Sequence, residues 1–222
     1  MITSSELKHI KKLGRKKYRN LHSHFVVEGD KVFNDFFDSN IPMFKSYSTK
    51  KIKGENAKIV TNKCMKRMTF LKNPSNVLGI FSIPKKKKAP VDEKVLVLDS
   101  ISDPGNLGSL IRLSDWFGFK NVVCSKKTVD CYNPKVVQSS MGSLARINIF
   151  YEDLKSYLSK VSIPVYGTFL NGELINEVTF PNEFVLILGN ESNGISQSVS
   201  KFASHKITIP KRSDSVIDSL NI

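Results

Sequence analysis

Cysteine is scarce in this 222-residue chain. Cys64, Cys124 and Cys131 form neither a disulfide framework nor a Cys-x-x-Cys metal pair, and they read as free thiols of a reducing cytoplasm. No run of about 18 apolar residues occurs, so no membrane-spanning helix is expected. The N-terminus, Met1-Ile2-Thr3-Ser4-Ser5-Glu6, lacks the basic-then-apolar order of a signal peptide. There is no internal repeat. The four histidines suggest no metal: His22 and His24 lie two apart without a third ligand at suitable spacing, and His9 and His205 are isolated. Also missing is a G-x-G-x-x-G turn followed by an acidic ribose ligand, the signature of a Rossmann-type nucleotide enzyme.

Acidic residues are few where basic ones are dense. Residues 1–90 hold 21 Lys+Arg and 6 Asp+Glu, a net of +15, whereas residues 91–222 hold 13 and 14, a net of −1. The whole excess of +14 therefore sits in the first 90 residues. The densest stretch carries Lys8, Lys11, Lys12, Arg15, Lys16, Lys17 and Arg19 with no acid between them. Either it is a solvated helix face, or its self-repulsion is relieved by a polyanion, of which nucleic acid is the chief intracellular example.

Composition shifts again at residues 84–92. Two prolines bracket four lysines in Pro84-Lys85-Lys86-Lys87-Lys88-Ala89-Pro90, an extended segment that serves as a linker or as a basic strap on RNA. Before it, Thr3-x-x-Glu6 predicts a capping box for a basic helix through about residue 17. Phe25 to Gly29 reads as a strand, and Asp30 as the cap of a helix bearing Val32, Phe33, Phe36 and Phe37. Strands are expected at 41–44, 58–60 and 77–83, with a short helix at 63–68. The aromatics fall at helical spacing and suit a core. After the linker, apolar runs at 95–98, 121–124, 163–170, 184–188 and 207–209 alternate with helical or loop segments, the pattern of a parallel, helix-covered sheet.

Three segments carry chemistry. The first follows the bare strand Val95-Leu96-Val97-Leu98: Asp103-Pro104-Gly105-Asn106-Leu107-Gly108, then Arg112. A strand, a Pro-Gly turn and a helix opening on Asn106 place polar groups at the carboxyl edge of a sheet, where α/β proteins bind ligands. Asn106, Leu110, Leu113 and Phe117 share one stripe, expected to be buried behind a polar cap. Gly108 and Arg112 share another, where the glycine leaves room for a ligand beside the guanidinium; the alternative is an Arg112–Asp115 surface pair. The second segment is Leu188-Gly189-Asn190-Glu191, with Gly194-Ile195-Ser196. Ser196 is placed to cap the next helix, and Glu191 is either a site carboxylate or a helix-start acid without a role in chemistry. The third is Ile207-Thr208-Ile209-Pro210 with Ser219-Leu220-Asn221, which alone would pass for a strand and a fraying tail.

Together, in this order and spacing, the three segments resemble the motifs of the SpoU/TrmH family of RNA ribose 2′-O-methyltransferases, part of the SPOUT class. Ser140-Met141-Gly142-Ser143-Leu144 resembles a family segment between the first two motifs. The resemblance implies an α/β fold. Residues 1–83 would be a small ribosomal-protein-like RNA-binding domain, 84–92 the linker, and 93–222 the methyltransferase domain. That domain would be a trefoil-knotted parallel sheet with helices on both faces.

It implies S-adenosylmethionine as cofactor, lined by Thr168, Leu188, Gly189, Asn190, Ile209, Pro210 and Leu220. Asn106, Arg112, Glu191, Ser219 and Asn221 would form the reacting site, with Lys8 to Arg19 on the RNA. It further implies a homodimer acting on RNA; the separate basic domain favours ribosomal over transfer RNA, and composition suggests a cytoplasmic setting without metal or membrane. The arginine of the first motif has been proposed as base in this family. Since a free guanidinium titrates at roughly 12.5–13.8, a charged Arg112 orienting the ribose hydroxyl and its phosphate is an equal expectation. The family's third motif contains a glycine and runs into a C-terminal helix. Residues 211–218 lack the glycine and the chain stops at Ile222, so a truncated domain with weak cofactor affinity is expected. The alternative function is then an inactive RNA-binding protein on the same scaffold.

Overall fold

The computed structural model describes residues 2–52, 56–85 and 88–210. Two compact units result: one takes Met1–Lys85 together with Asp130–Arg146, the other takes the remaining residues. In chain order the elements are α1 (Ser4–Lys12), α2 (Lys16–His22), β1 (His24–Glu28), α3 (Asp30–Phe37), β2 (Met43–Ser48), β3 (Lys58–Ile59), α4 (Asn62–Met68) and β4 (Val77–Ser82). They continue with β5 (Val95–Leu98), α5 (Pro104–Trp116), β6 (Asn121–Ser125), α6 (Pro134–Ser139), β7 (Asn148–Glu152), α7 (Leu154–Leu158), β8 (Val165–Leu174), β9 (Val185–Leu188), α8 (Gln197–Ser200) and β10 (His205–Thr208).

In the first unit the capping box forms as the sequence predicts. Glu6 N donates to Thr3 Oγ1 at 3.1 Å, and Thr3 N donates to Glu6 Oε2 at 2.7 Å. The helix does not run to residue 17, however; it stops at Lys12 and a second begins at Lys16. Gly14 sits in the break, where a Cβ would lie 2.6 Å from the Phe70 ring, so close approach to that ring favours a bare backbone. Arg19 lies in the second helix and is 1% exposed. Its Nε and Nη2 donate to Asp130 Oδ2 at 2.9 and 2.5 Å, and its Nη1 donates to the Leu13 carbonyl at 2.8 Å. Arg19 is thus spent inside the protein and is withdrawn from the set expected to contact RNA.

The sheet of this unit runs β1-β4-β2-β3, with β4 antiparallel to β1 and β2, and β2 parallel to β3. Ile10, Leu13, Val26, Tyr47, Met65, Met68, Leu78 and Ile80 cluster in one buried core. Phe33 and Phe36, at helical spacing on α3, pack ring on ring with Phe25 of β1 and Phe81 of β4 in another, while Phe37 of the same helix is 38% exposed. Asp30 is the first residue of α3 rather than its cap; Gly29 at φ +97° holds the cap position and makes no side-chain cap bond. Residues 130–146, read from the sequence as part of the methyltransferase region, belong to this unit. Tyr132 packs 4.6 Å from Phe25, Arg146 Nη1 pairs with Asp35 at 3.1 Å, and Gly142 at φ +91° leaves the space that the Asp35 carboxylate fills.

The second unit is a six-stranded sheet of order β10-β8-β9-β5-β6-β7, parallel throughout. β5 and β6 are buried along their whole length, which is why they read as unbroken apolar runs. β7 was not expected. It buries only Phe150 fully, and an edge strand with one buried side chain offers little periodic signal. Val95, Val97, Val123, Val185 and Ile187 form the centre of the core, with Leu154, Tyr157, Leu158 and Val199 packed on it. The threading expected of the C-terminal part engages residues 211–222, outside the described residues. Among the described residues no helix is long and apolar enough to cross a membrane.

Candidate active site

Chain order places a crevice. From β5 the chain proceeds outward through β6 to β7, then returns to build β8, β9 and β10 on the other side, with β9 beside β5. The order therefore reverses between β5 and β9, and ligands of parallel α/β sheets bind beyond the carboxyl ends of strands at such a switch point. The first and second chemical segments leave the sheet there.

Asp103, not Asn106, caps α5: its Oδ1 accepts from Asn106 N at 3.0 Å, with Pro104 in the first turn. The Asn106 side chain is thereby available elsewhere, and its Nδ2 donates to Glu191 Oε1 at 2.8 Å. Asn190 Nδ2 donates to the other Glu191 oxygen at 3.1 Å and to the Ser100 carbonyl at 2.9 Å. Asn190 Oδ1 accepts from the backbone N–H groups of Ser192 and Asn193 at 3.0 and 3.1 Å. Asn190 N and O also bridge Gly194. The polar groups of Asn190 thus shape the turn. Gly189 is enforced, since a Cβ there would lie 2.1 Å from the Gly194 backbone. Gly194 itself turns at φ +62°.

Sequence reasoning missed the groups beneath this turn. Asp99, 4% exposed, accepts from Ser196 N on Oδ2 at 2.9 Å and from Ser100 Oγ on Oδ1 at 3.0 Å. Ser196 precedes α8 but makes no side-chain cap bond; its N–H is the part that is used. Ser100 sits at φ +64° and donates its N–H to Ser125 Oγ at 2.9 Å. The available signal was an acid directly after the apolar run of β5, which a buried strand end accepts only when it is bonded.

Of the stripe expected to be buried on α5, Leu110 is buried and Leu113 and Phe117 are not. Leu107, Gly108, Leu110, Ile111 and Ser114 face the core, while Leu113, Trp116 and Phe117 are 45%, 81% and 61% exposed. Gly108 is buried and Arg112 exposed, so the two do not form one open face. Arg112 stands on the same helix as Asn106, with its guanidinium towards solvent. Thr168 is partly buried on β8 and donates to the Ile187 carbonyl at 3.2 Å. The Leu188 carbonyl accepts from Asp99 N at 2.9 Å. Ile209 and Pro210 are exposed after β10. Ser219, Leu220 and Asn221 lie outside the described residues. Of the basic set, Lys8, Lys11, Lys12, Arg15, Lys16 and Lys17 are exposed on the first unit, with Lys11 Nζ donating to the Thr69 carbonyl at 2.8 Å. Among the described residues no group of three His, Cys, Asp or Glu could hold a metal ion.

Known proteins are similar to this chain. Residues 93–222 match the family model described as the SpoU rRNA Methylase family, and residues 4–79 match an MRM3-like substrate binding domain. The chain is 27% identical to the 23S rRNA (guanosine(2553)-2′-O)-methyltransferase RlmP of Bacillus subtilis, over 99% of this chain and 92% of that protein. It is 27% identical to the human mitochondrial rRNA methyltransferase 3, over 64% of this chain and 39% of that one. A solved TrmH-family structure from Porphyromonas gingivalis superposes with a TM-score of 0.89 at 31% identity, covering 100% of this chain and 93% of that one. The AdoMet-bound rRNA methyltransferase of Sinorhizobium meliloti gives 0.85 at 26%, covering 100% and 90%.

Proposed function

This chain belongs to the SpoU rRNA methylase family, and on that premise we propose that it is an S-adenosylmethionine-dependent methyltransferase acting on a ribose 2′-hydroxyl of ribosomal RNA. The observation that carries this is the Asn106–Glu191–Asn190 network at the β5/β9 switch point, inside the residues that match the family. A cytoplasmic setting and a homodimer are parts of the same proposal. Leu113, Trp116 and Phe117 support the second, as apolar side chains exposed together near the end of α5.

The residues present suit the cofactor. Leu170 on β8 and Ile209 just after β10, 85% and 53% exposed, offer apolar surface, linked where Thr208 Oγ1 donates to the Leu170 carbonyl at 3.2 Å. Gly189 follows the end of β9, and Thr168 lies on β8 just past its last pair with that strand, Gly167 with Ile187. Together Thr168, Leu170, Gly189 and Ile209 would hold an adenosyl group by apolar contact and main-chain bonds. Bound S-adenosylmethionine supplies an electrophilic sulfonium methyl.

The chain's own task is placement. Glu191, held by two amides, fixes the turn after β9 against α5 and so sets where α5 presents Arg112. A charged guanidinium there orients the 2′-hydroxyl and the neighbouring phosphate. The exposed basic residues of the first unit hold the rest of the RNA, a role that the substrate-binding match over residues 4–79 supports. Domain by domain, residues 1–83 recognise substrate, with 130–146 completing their unit, 84–92 link, and the rest of 93–222 carries the chemistry.

Tritiated methyl transfer into total RNA, followed by alkaline digestion, tests the proposal. Label is expected in alkali-resistant dinucleotides, because a 2′-O-methyl blocks cleavage at its own nucleotide. Label confined to bases would refute ribose methylation.

A further inference from the structure

The first unit contains a cleft that the chemistry above does not use. It has a volume of about 410 Å³ and is lined by one face of α1, with Lys8, His9 and Lys12, and by His22 at the end of α2. The His9 and His22 rings meet edge to face at 4.7 Å, and His24 lies 5.9 Å from His9. His24 in turn lies 4.3 Å from Phe44 at an interplanar angle of 32°. Phe44 is 58% exposed, so one face of this short aromatic stack is open to solvent.

Two features set this cluster apart from an ordinary basic surface. His9 Nε2 and His24 Nδ1 are buried with no hydrogen-bond partner among the described residues, so these rings are held by packing against one another rather than by polar bonds. Burial, then the neighbouring His22, His24 and Lys12, lowers the pKa of His9, and burial, then His22, lowers that of His24. Both rings are therefore neutral at physiological pH, each offering one donor and one acceptor. The rim is cationic through Lys8 and Lys12, while the interior is aromatic and uncharged. A bare phosphate needs only the rim. Apolar ligands have no use for the lysines. A nucleotide uses both features, with its phosphate at the lysines and its ring on the exposed aromatic face.

We propose that this cleft, together with the Phe44 ring 6.4 Å from His9 at its side, binds one unpaired nucleotide of the substrate RNA, its base stacked on the exposed face of Phe44 and its phosphate held by Lys8 and Lys12. The proposal rests on the reading of the first unit as RNA-binding, and sharpens it from a charged surface to a site that requires an unstacked base. Double-stranded RNA hides its base faces, so the site discriminates loops and single strands from duplex.

Fluorescence anisotropy of the full chain tests it, with a labelled oligoadenylate as one probe and the same strand annealed to oligouridylate as the other. Phe44→Ala is expected to weaken single-strand binding by about tenfold and to leave duplex binding within about twofold. Phe44→Trp should restore it. His22→Ala, at another exposed position, should show the same selectivity. Lys8→Ala with Lys12→Ala should weaken both probes. An equal effect of Phe44→Ala on both probes, or none on either, overturns the nucleotide site while leaving the RNA-binding reading intact. Failure of the unaltered chain to bind either probe overturns that reading itself.

Discussion

Two side-chain amides converge on Glu191, while Arg112 on the same helix as Asn106 is exposed. Substitutions at Arg112 should therefore affect chemistry rather than folding. Arg112→Ala is expected to lower methyl transfer by about 100-fold or more, with the melting temperature unchanged and RNA affinity retained. Arg112→Lys should not rescue it, because an ammonium lacks the planar fork. A loss of RNA affinity in Arg112→Ala as large as that from removing Lys8, Lys12, Lys16 and Lys17 together would contradict this division. Arg19 behaves in the opposite way. Asp130→Asn leaves its buried guanidinium without a counter-charge, and unpairing such an ion costs about 3–5 kcal/mol. Urea titration should show that loss; a midpoint unchanged from the parent chain would show that the pair is not needed.

Among the elements, α1 is tied to two strands by one carboxylate. Glu6 pairs with Lys45 of β2 at 2.5 Å and with Lys58 of β3 at 2.9 Å. The Lys45 bond, the Thr3 backbone bond and the Lys58 bond hold its pKa far below the ordinary 4.5. Because the folded value is depressed, the stability it confers is present above about pH 4.5 and is lost as the pH falls towards the folded value. Glu28 acts in reverse: burial raises its pKa against the bonds from Thr69 and Phe70 N. Its ionisation therefore costs stability as the pH rises through the raised value. Glu6→Gln separates the two, and should lower Tm at pH 7 and flatten its fall between pH 5 and 3. An acid limb as steep as the parent's would exclude Glu6 as its source.

The same elements mark how far the sequence could be followed. Fully buried strands such as β5 and β6 were legible because both their faces are apolar. β7 was not, because an edge strand buries one side. The motif turns were legible by residue type, Asn106 and Glu191 among them. Two outcomes were not: which face of α5 meets the core, and that Arg19 pairs with Asp130, 111 residues away. The first depends on a cap moved from Asn106 to Asp103, which the stripe argument took as its origin. The second is a long-range pairing that no local period encodes.

For the molecule as a whole, charge and apolar surface are divided. The excess of +14 lies in residues 1–90, so RNA affinity should fall steeply with salt while methyl transfer at saturating RNA should not. Trp116, 81% exposed, belongs to the other unit. If two copies associate there, Trp116→Glu should convert a dimer to a monomer in light scattering; a dimer that persists would remove α5 from the interface. One last consequence concerns how the polypeptide is made. The first unit is completed by residues 130–146, so the chain leaves it, lays down β5 and β6, returns, and leaves again. A ribosome that has released only residues 1–85 has not yet supplied Asp130 for Arg19 or Tyr132 for Phe25. Final packing of the N-terminal unit must wait for residue 146, when four of the other unit's six described strands are still to come, and a single cut near residue 85 cannot yield two finished pieces.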